Sequence, residues 1–353
     1  MSIFEEDNFK NTSVSELGEF GLIDHITKDF SIKNMSSVKG VGDDAAVLDF
    51  SDKKYQLLST DMLVENVHFD LSYTPLKHLG YKSVAVNVSD ICAMNGKANQ
   101  ITVSIAISNR FPIEAIEELY SGIHLACEKY NVDLVGGDTT SSTSGLIISI
   151  SVVGEVDKEK ITYRNGANIN DLVVCTGDLG AAYLGLQILK REKQIFLDNP
   201  GVQPDLQGND YSLQRQLKAE ARVKIIEILK ELKIKPTSMI DISDGLTSEI
   251  LHLSKHSDVG ITIYEDKLPI DHTTMNLARD LNLNPIFCAL NGGEDYELLF
   301  TISQDHYEKL KKDVDFTIIG HVTDKSEGDN FITNDNTSHP ITAQGWDPIK
   351  TDS

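Results

Sequence analysis

Residues 156–191 read VDKEKITYRNGANINDLVVCTGDLGAAYLGLQILKR, and the change of pattern inside this stretch sets the architecture. It opens on turn chemistry: the DKEK charge run, Asn165-Gly166 and Asn170-Asp171 favour bends over regular structure. Leu172–Thr176 is then a short apolar run, Gly177 and Gly180 interrupt it, and Ala181–Arg191 carries helical spacing. A strand, a glycine turn and a helix that restart after a polar break indicate a second α/β unit. Towards the N-terminus, Tyr55–Ser59, Gln100–Ile107 and Leu146–Val153 read as strands, and Tyr81–Ala93 and Pro112–Tyr130 as helices. In the first of these helices Ala85, Ser89 and Ala93, four residues apart, allow close packing against a neighbour. Towards the C-terminus, Gln194–Tyr211 reads as a long polar loop and Ala219–Leu232 as a helix. Gly260–Tyr264 and Tyr296–Ile302 read as strands. The expected fold class is α/β (α+β) in two domains, residues 1–158 and 159–353.

The bulk properties narrow the function classes. At 353 residues the chain is too long for one ordinary core. Its 54 acidic residues against 32 basic ones give a formal net charge of −22, which repels nucleic-acid backbones and anionic membranes. Neither is expected as a partner. Cys92, Cys127, Cys175 and Cys288 form no CxxC pair, so neither a zinc site nor a disulfide framework is expected. MSIFEEDNFK lacks the apolar region of a signal peptide, and the apolar run Gly145–Gly154 is about half a membrane span. A cytoplasmic protein is expected.

Five acidic segments carry the chemistry. Gly42-Asp43-Asp44 is a turn before a strand ending at Asp49, and Ser59-Thr60-Asp61 closes the strand before it. Asn87-Val88-Ser89-Asp90 sets an acid among apolar helix neighbours, where a carboxylate needs a partner or a metal. Gly136-Gly137-Asp138-Thr139-Thr140 lets backbone approach an anion while an acid faces a cation. Asp241-Ile242-Ser243-Asp244-Gly245 is the fifth. Each alone reads as an ordinary turn. Together they form an all-oxygen ligand set, without imidazole or thiolate, that suits magnesium. Carboxylates so gathered repel one another unless cations lie between them, and a magnesium triphosphate resolves the conflict. Neither GxxxxGK[ST] nor GxGxxG occurs, so phosphoryl transfer or ATP-driven activation at a site without a P-loop is expected.

A sixth segment, Asn291-Gly292-Gly293-Glu294-Asp295-Tyr296-Glu297-Leu298-Leu299-Phe300, feeds acids into an apolar strand. GDDAAV, STDMLVENVHF, KSVAVNVSDICAM, GGDTT, ISDGL and GGEDYELLF occur in this order. The set resembles the thiamine-monophosphate kinase family, within the superfamily of aminoimidazole ribonucleotide synthetase, from about Gly18 to Trp346. The resemblance implies an ATP- and magnesium-binding domain that pairs with its twin in a homodimer, followed by a second α/β domain. It implies ATP-dependent, direct in-line phosphorylation of thiamine monophosphate, the last step of thiamine diphosphate biosynthesis. It also implies magnesium ligands at Asp44, Ser59, Thr60, Asp61, Asp90, Asp138, Asp241 and Asp244, and ATP contacts at Tyr120, Gly137, Asp138, Arg164 and Ser243. His68, Glu294 and Trp346 become contacts to thiamine monophosphate; a carboxylate and an aromatic face suit its cationic rings. Without the resemblance, a lone His68 reads as a polar-satisfied loop residue, Tyr120 as the edge of the core and Trp346 as packing. One departure stands out: SLQRQLKAEARVK replaces a basic, proline-containing segment common in the family, which puts phosphate contacts from that segment in doubt.

The rivals fail on particular residues. A selenophosphate synthetase needs a reactive cysteine near its N-terminus, and none precedes Cys92; the hydrogenase-maturation relative needs a C-terminal cysteine, and this chain ends Lys350-Thr351-Asp352-Ser353. A magnesium-nucleotide sensor without turnover has no use for His68 and Glu294.

Overall fold

The computed structural model describes residues 14–310 and 315–343. The chain divides into two units. Helix α1 (Gly18–Thr27) belongs to the first, and residues 33–346 make up the second, which holds every element described below.

The first sheet is built from β1 (Ser37–Lys39), β2 (Ala46–Leu48), β3 (Lys54–Val64), β4 (Lys97–Ile107), β5 (Asp133–Ser141) and β6 (Ile147–Asp157). Its strand order is β1-β2-β3-β6-β4-β5, antiparallel except for the β4–β5 pair. β3 runs past the predicted Ser59 because it pairs with β6 along its whole length. Ser59-Thr60-Asp61 therefore lie within a strand, not at its end. Likewise GGDTT is part of β5, not a turn after a strand. Pairing with β4 extends that edge strand through the glycines, and a Cβ at Gly137 would fall 1.9 Å from the Val103 carbonyl.

Helices α2 (Leu76–Ala93) and α3 (Ile113–Tyr130) follow, and α2 touches α3, β3, β4 and β6. Every residue from Leu79 to Ala93 except Asp90 is buried. Such a helix is covered all round, and its polar Lys82, Ser83, Asn87 and Ser89 are buried with the apolar residues. The closest approach of the pair lies at Gly80 and Gly122, not at the predicted small-residue row. A Cβ there would stand 2.0 Å from the Leu119 oxygen or 1.9 Å from that of Lys77. From the second half of the chain, β8 (defined below) also reaches α2.

The second sheet contains β7 (Leu172–Thr176), β8 (Ser238–Asp241), β9 (Gly260–Tyr264), β10 (Leu298–Ile302), β11 (Phe316–Thr323), β12 (Asn330–Ile332) and β13 (Ser338–Pro340). The order is β13-β12-β9-β11-β7-β10-β8, with only β12–β9 parallel. Its helices are α4 (Ala181–Asp198), α5 (Asp210–Leu217), α6 (Val223–Leu232), α7 (Leu246–Ser257), α8 (His272–Asp280), α9 (Pro285–Asn291) and α10 (Tyr307–Leu310). The predicted loop shrinks at both ends as α4 and α5 take residues from it. Helix α6 starts at Val223 rather than Ala219, and the Ala221 amide just before it donates to the Tyr130 hydroxyl of α3. One apolar cluster runs from Val103 and Ile150 of the first sheet to Val174 and Phe300 of the second. A second cluster, including Ile261 and Leu253, covers the other side of the second sheet. Among the described residues no helix is long and apolar enough to cross a membrane.

Candidate active site

The two sheets bring three distant acids together. Asp44 comes from the turn before β2, Asp90 from α2 and Asp241 from the end of β8, and one carboxylate oxygen of each lies within 4.8 Å of the others. Asp44 and Asp241 are buried and Asp90 half-buried. The Ser59 hydroxyl donates to Asp90 Oδ2 at 2.5 Å, and Ser89 donates to Asp241 Oδ2 at 2.6 Å. Arg164 is the one positive partner: Nη2 donates to Asp44 Oδ1 at 2.8 Å and Nε to Oδ2 at 3.2 Å. Nothing among the described contacts offers Asp90 a cation.

The electrostatic result is a set of carboxyls that resist ionisation. Burial first, then the charge of Asp44, pushes Asp241 up to about 7. Burial and the charges of Asp61, Asp241 and Asp44 hold Asp90 well above the usual carboxylate range. Burial also raises Asp44, although Arg164 opposes the shift. Two unit charges 4 Å apart interact by about 4 kcal/mol at an effective dielectric constant of ~20, so three ionised carboxylates cannot share this space uncompensated. An all-oxygen donor set of this kind fits a hard divalent cation such as magnesium.

Strand alternation sorts the remaining predicted ligands. Asp61 is in register with Ile150, Val103 and Gly137, and its amide donates to Asn87 of α2 at 3.1 Å. Ser59 and Asp61 thus share the helix-facing side. Thr60 turns away, and its hydroxyl donates to the Ile150 carbonyl at 3.1 Å. Asp138 falls in the adjacent row, with Ser104 and Ser149, on the opposite face from Asp61. It is exposed, accepts from the Thr139 amide at 2.8 Å and stands apart from the three-acid cluster. Tyr120, half-buried on α3, lines a separate cavity of about 550 Å³ with Ile123, Cys127, Asp133 and Leu134.

The second-half segments are joined main chain to main chain. The Glu294 amide donates to the Ser243 carbonyl at 2.6 Å, and the Tyr296 amide to Ile242 at 2.9 Å. Gly293 has φ +68°, and a Cβ there would lie 2.8 Å from the Ser243 oxygen. Glu294 and Tyr296 themselves sit at φ 60° and 50°, left-handed conformations that cost non-glycine residues free energy and cluster at functional sites. Glu294 accepts from Lys82 Nζ and Gln216 Nε2, each at 2.7 Å. His68 follows β3, with Nδ1 accepting from the Val64 amide at 3.1 Å. Burial lowers its pKa more than the charge of Glu294 raises it, so the ring is neutral at physiological pH. Asp244 donates its amide to Glu249 of α7 at 2.9 Å. Trp346 lies outside the described residues.

Three participants were not legible beforehand. Lys82 lies in a segment read as a close-packing helix and Gln216 between the predicted loop and the next helix, and neither position signals the contact with Glu294. Glu249 is buried, with its pKa held well above normal by burial and by Asp244. An acid in the first turn of a helix gives no warning of this, because it normally answers the helix dipole.

The model for "AIR synthase related protein, N-terminal domain" matches residues 42–156, and that for the C-terminal domain matches residues 169–331. A thiamine-monophosphate kinase of Bacillus subtilis is 34% identical over 95% of this chain and 100% of its own length. One of Aquifex aeolicus is 35% identical over 94% and 98%, respectively. The solved structure described as AaThiL complexed with AMPPCP and TMP is 32% identical. It covers 96% of this chain and 99% of its own, with a TM-score of 0.79.

Proposed function

The chain belongs to the AIR synthase related family and, within it, to the thiamine-monophosphate kinases, and from that premise we propose that it transfers the terminal phosphoryl group of ATP to thiamine monophosphate, giving ADP and thiamine diphosphate. The observation that carries this reading is the convergence of Asp44, Asp90 and Asp241 within 4.8 Å. These acids, with Asp61 and the Ser59 hydroxyl on the same side, would hold magnesium. Thr60 would join through its main chain and Asp244 from the edge, while Asp138, apart from the cluster, would hold another magnesium beside the phosphates. Magnesium, when bound, neutralises charge on the phosphoryl oxygens.

The chain's own residues do the rest. Arg164, held on Asp44, is the cation placed to turn towards a phosphate, with Ser243 and the Gly137 main chain beside the nucleotide and Tyr120 in the cavity along α3. Glu294, fixed by Lys82 and Gln216, presents negative charge to the cationic rings of the substrate, and neutral His68 adds none to repel them. The acceptor phosphate oxygen is already anionic at neutral pH, so transfer is direct and in line and needs no strong general base. A cysteinyl intermediate is disfavoured, because burial holds the Cys92 and Cys175 thiols above the range in which they ionise.

A homodimer is part of the same proposal. The face of the first sheet opposite Asp61 exposes Leu58 and Met62, and the edge strand β5 exposes Leu134 (45%) and Val135 (61%), an apolar surface that a second copy would cover. The two-domain division, 1–158 and 159–353, is kept, with one sheet in each part. The use of ATP favours the cytoplasm.

The test is to incubate purified protein with ATP, magnesium and thiamine monophosphate. Equal amounts of ADP and thiamine diphosphate, dependent on magnesium, are expected. ADP with free phosphate and no thiamine diphosphate would refute the acceptor while leaving an ATPase.

A further inference from the structure

In a chain of net charge −22, one cavity is basic. It is an open cleft of about 360 Å³ lined by the exposed Lys54, Lys97, Lys160, Lys230, Lys233 and Lys235. Its two acids are already engaged: Glu155 pairs with Lys54 at 2.6 Å and Asp157 with Lys160 at 3.4 Å. Among the described residues, Lys97, Lys230, Lys233 and Lys235 form no ion pair, so six lysines meet only two acids around one hollow. The floor is apolar, formed by Val156, Ile226, Leu229 and Ile234.

Lysines at a helix C-terminus often only answer the exposed carbonyls and the dipole. That accounts for Lys230, Lys233 and Lys235 at the end of α6. It does not account for Lys54 at the start of β3, Lys97 at the start of β4 or Lys160 after β6. Asn95 ties two of these together: at φ 58° it donates Nδ2 to the Lys160 carbonyl at 2.8 Å, holding the Lys97 turn against the Lys160 turn. None of the three acids lines the cavity.

We propose that this cavity is a second binding site, for a nucleoside di- or triphosphate, distinct from the acid cluster. The phosphates would meet the uncompensated lysines and the neutral base would lie on the apolar floor. A cationic thiazolium among the same lysines is repelled, which argues against thiamine diphosphate as occupant.

The test is equilibrium dialysis of ADP against the full-length protein in excess EDTA at low ionic strength, where no magnesium is present to hold nucleotide at the acid cluster. Stoichiometric ADP binding is expected. It should weaken by about tenfold or more in the double variant Lys97→Glu/Lys233→Glu, whose circular dichroism and turnover at saturating magnesium-ATP stay unchanged. Inorganic pyrophosphate should bind more weakly than ADP, because it leaves the apolar floor uncovered. The proposal is overturned by an absence of ADP binding in EDTA or by binding that ignores the charge reversals. Pyrophosphate or thiamine diphosphate binding as tightly as ADP would also overturn it. The readout does not depend on which acceptor the enzyme phosphorylates, so the kinase reading and this one fail separately.

Discussion

Asp90 and Glu297 are both carboxylates withdrawn into the protein, and their surroundings are opposite. Glu297, fully buried, accepts from Arg222, from Arg215 at 3.0 Å and from the Thr176 hydroxyl at 2.6 Å. Asp90 faces Asp61, Asp241 and Asp44, and among the described residues the Ser59 hydroxyl is its one side-chain donor. A buried charge closed by guanidiniums is a structural solution: nothing further is needed, and removing one member strands the others. A buried carboxylate surrounded by carboxylates is complete only when something positive arrives. The difference separates a part that holds the fold from a part that waits for a ligand.

The largest effect that sharpens this contrast is on turnover. Asp90→Asn should lower kcat by about a thousandfold or more, on the order of 4 kcal/mol, while thermal unfolding of the metal-free protein is unchanged or shifted upward. A variant that loses stability in proportion to activity would put Asp90 in the same class as Glu297. The reverse pattern is expected of Glu297→Ala, which strips Arg222 of its acid and leaves Arg215 with Asp295 alone. Chemical denaturation should show a loss of about 3–5 kcal/mol, and no added magnesium should restore it.

Acidity gives a third handle. Unfolded aspartates titrate near 3.9, whereas Asp241 is held at about 7 and Asp90 higher than normal. The folded state therefore keeps protons that the unfolded state releases, so stability from these groups is present below about pH 4 and is lost as pH rises towards 7. The metal-free melting temperature of the wild type should fall more steeply between about pH 5 and pH 8 than that of Asp241→Asn. Identical slopes would mean that the cluster does not ionise with the cost inferred. The smallest effect concerns strand β3. Ser59→Ala removes the donor to Asp90, whereas Thr60→Val alters only the opposite face. Kinetic assays should show the serine variant impaired and the threonine variant within about twofold of wild type. Equal impairment would contradict the face assignment.

Much of this was readable from the chain. Leu172–Thr176 and Gly260–Tyr264 form as strands with the expected bounds, because apolar runs between turn residues leave few alternatives. Asp90 stands out as an acid among apolar helix neighbours, whereas Asp44 and Asp241 sit in segments that each read as ordinary turns and gain a metal role only from the whole set and the family resemblance. What escaped notice depends on tertiary pairing. Thr60 could be assigned to its face only once β3 was known to pair with β6 through Val64. Asp138 required the β4–β5 register. The Gly80–Gly122 contact joins residues whose sequence context looks unremarkable. The six lysines come from β3, β4, the turn after β6 and the end of α6, so no window of sequence contains them together.

The central claim is that Asp44, Asp90 and Asp241 act as one cation site. Calorimetric titration of magnesium into the metal-free protein at about pH 7 tests it, since proton release on binding reports the raised carboxyls. Saturable binding with proton release in the wild type, abolished in Asp90→Asn and in Asp241→Asn, is the expected result. Magnesium binding of equal strength in all three proteins would contradict it.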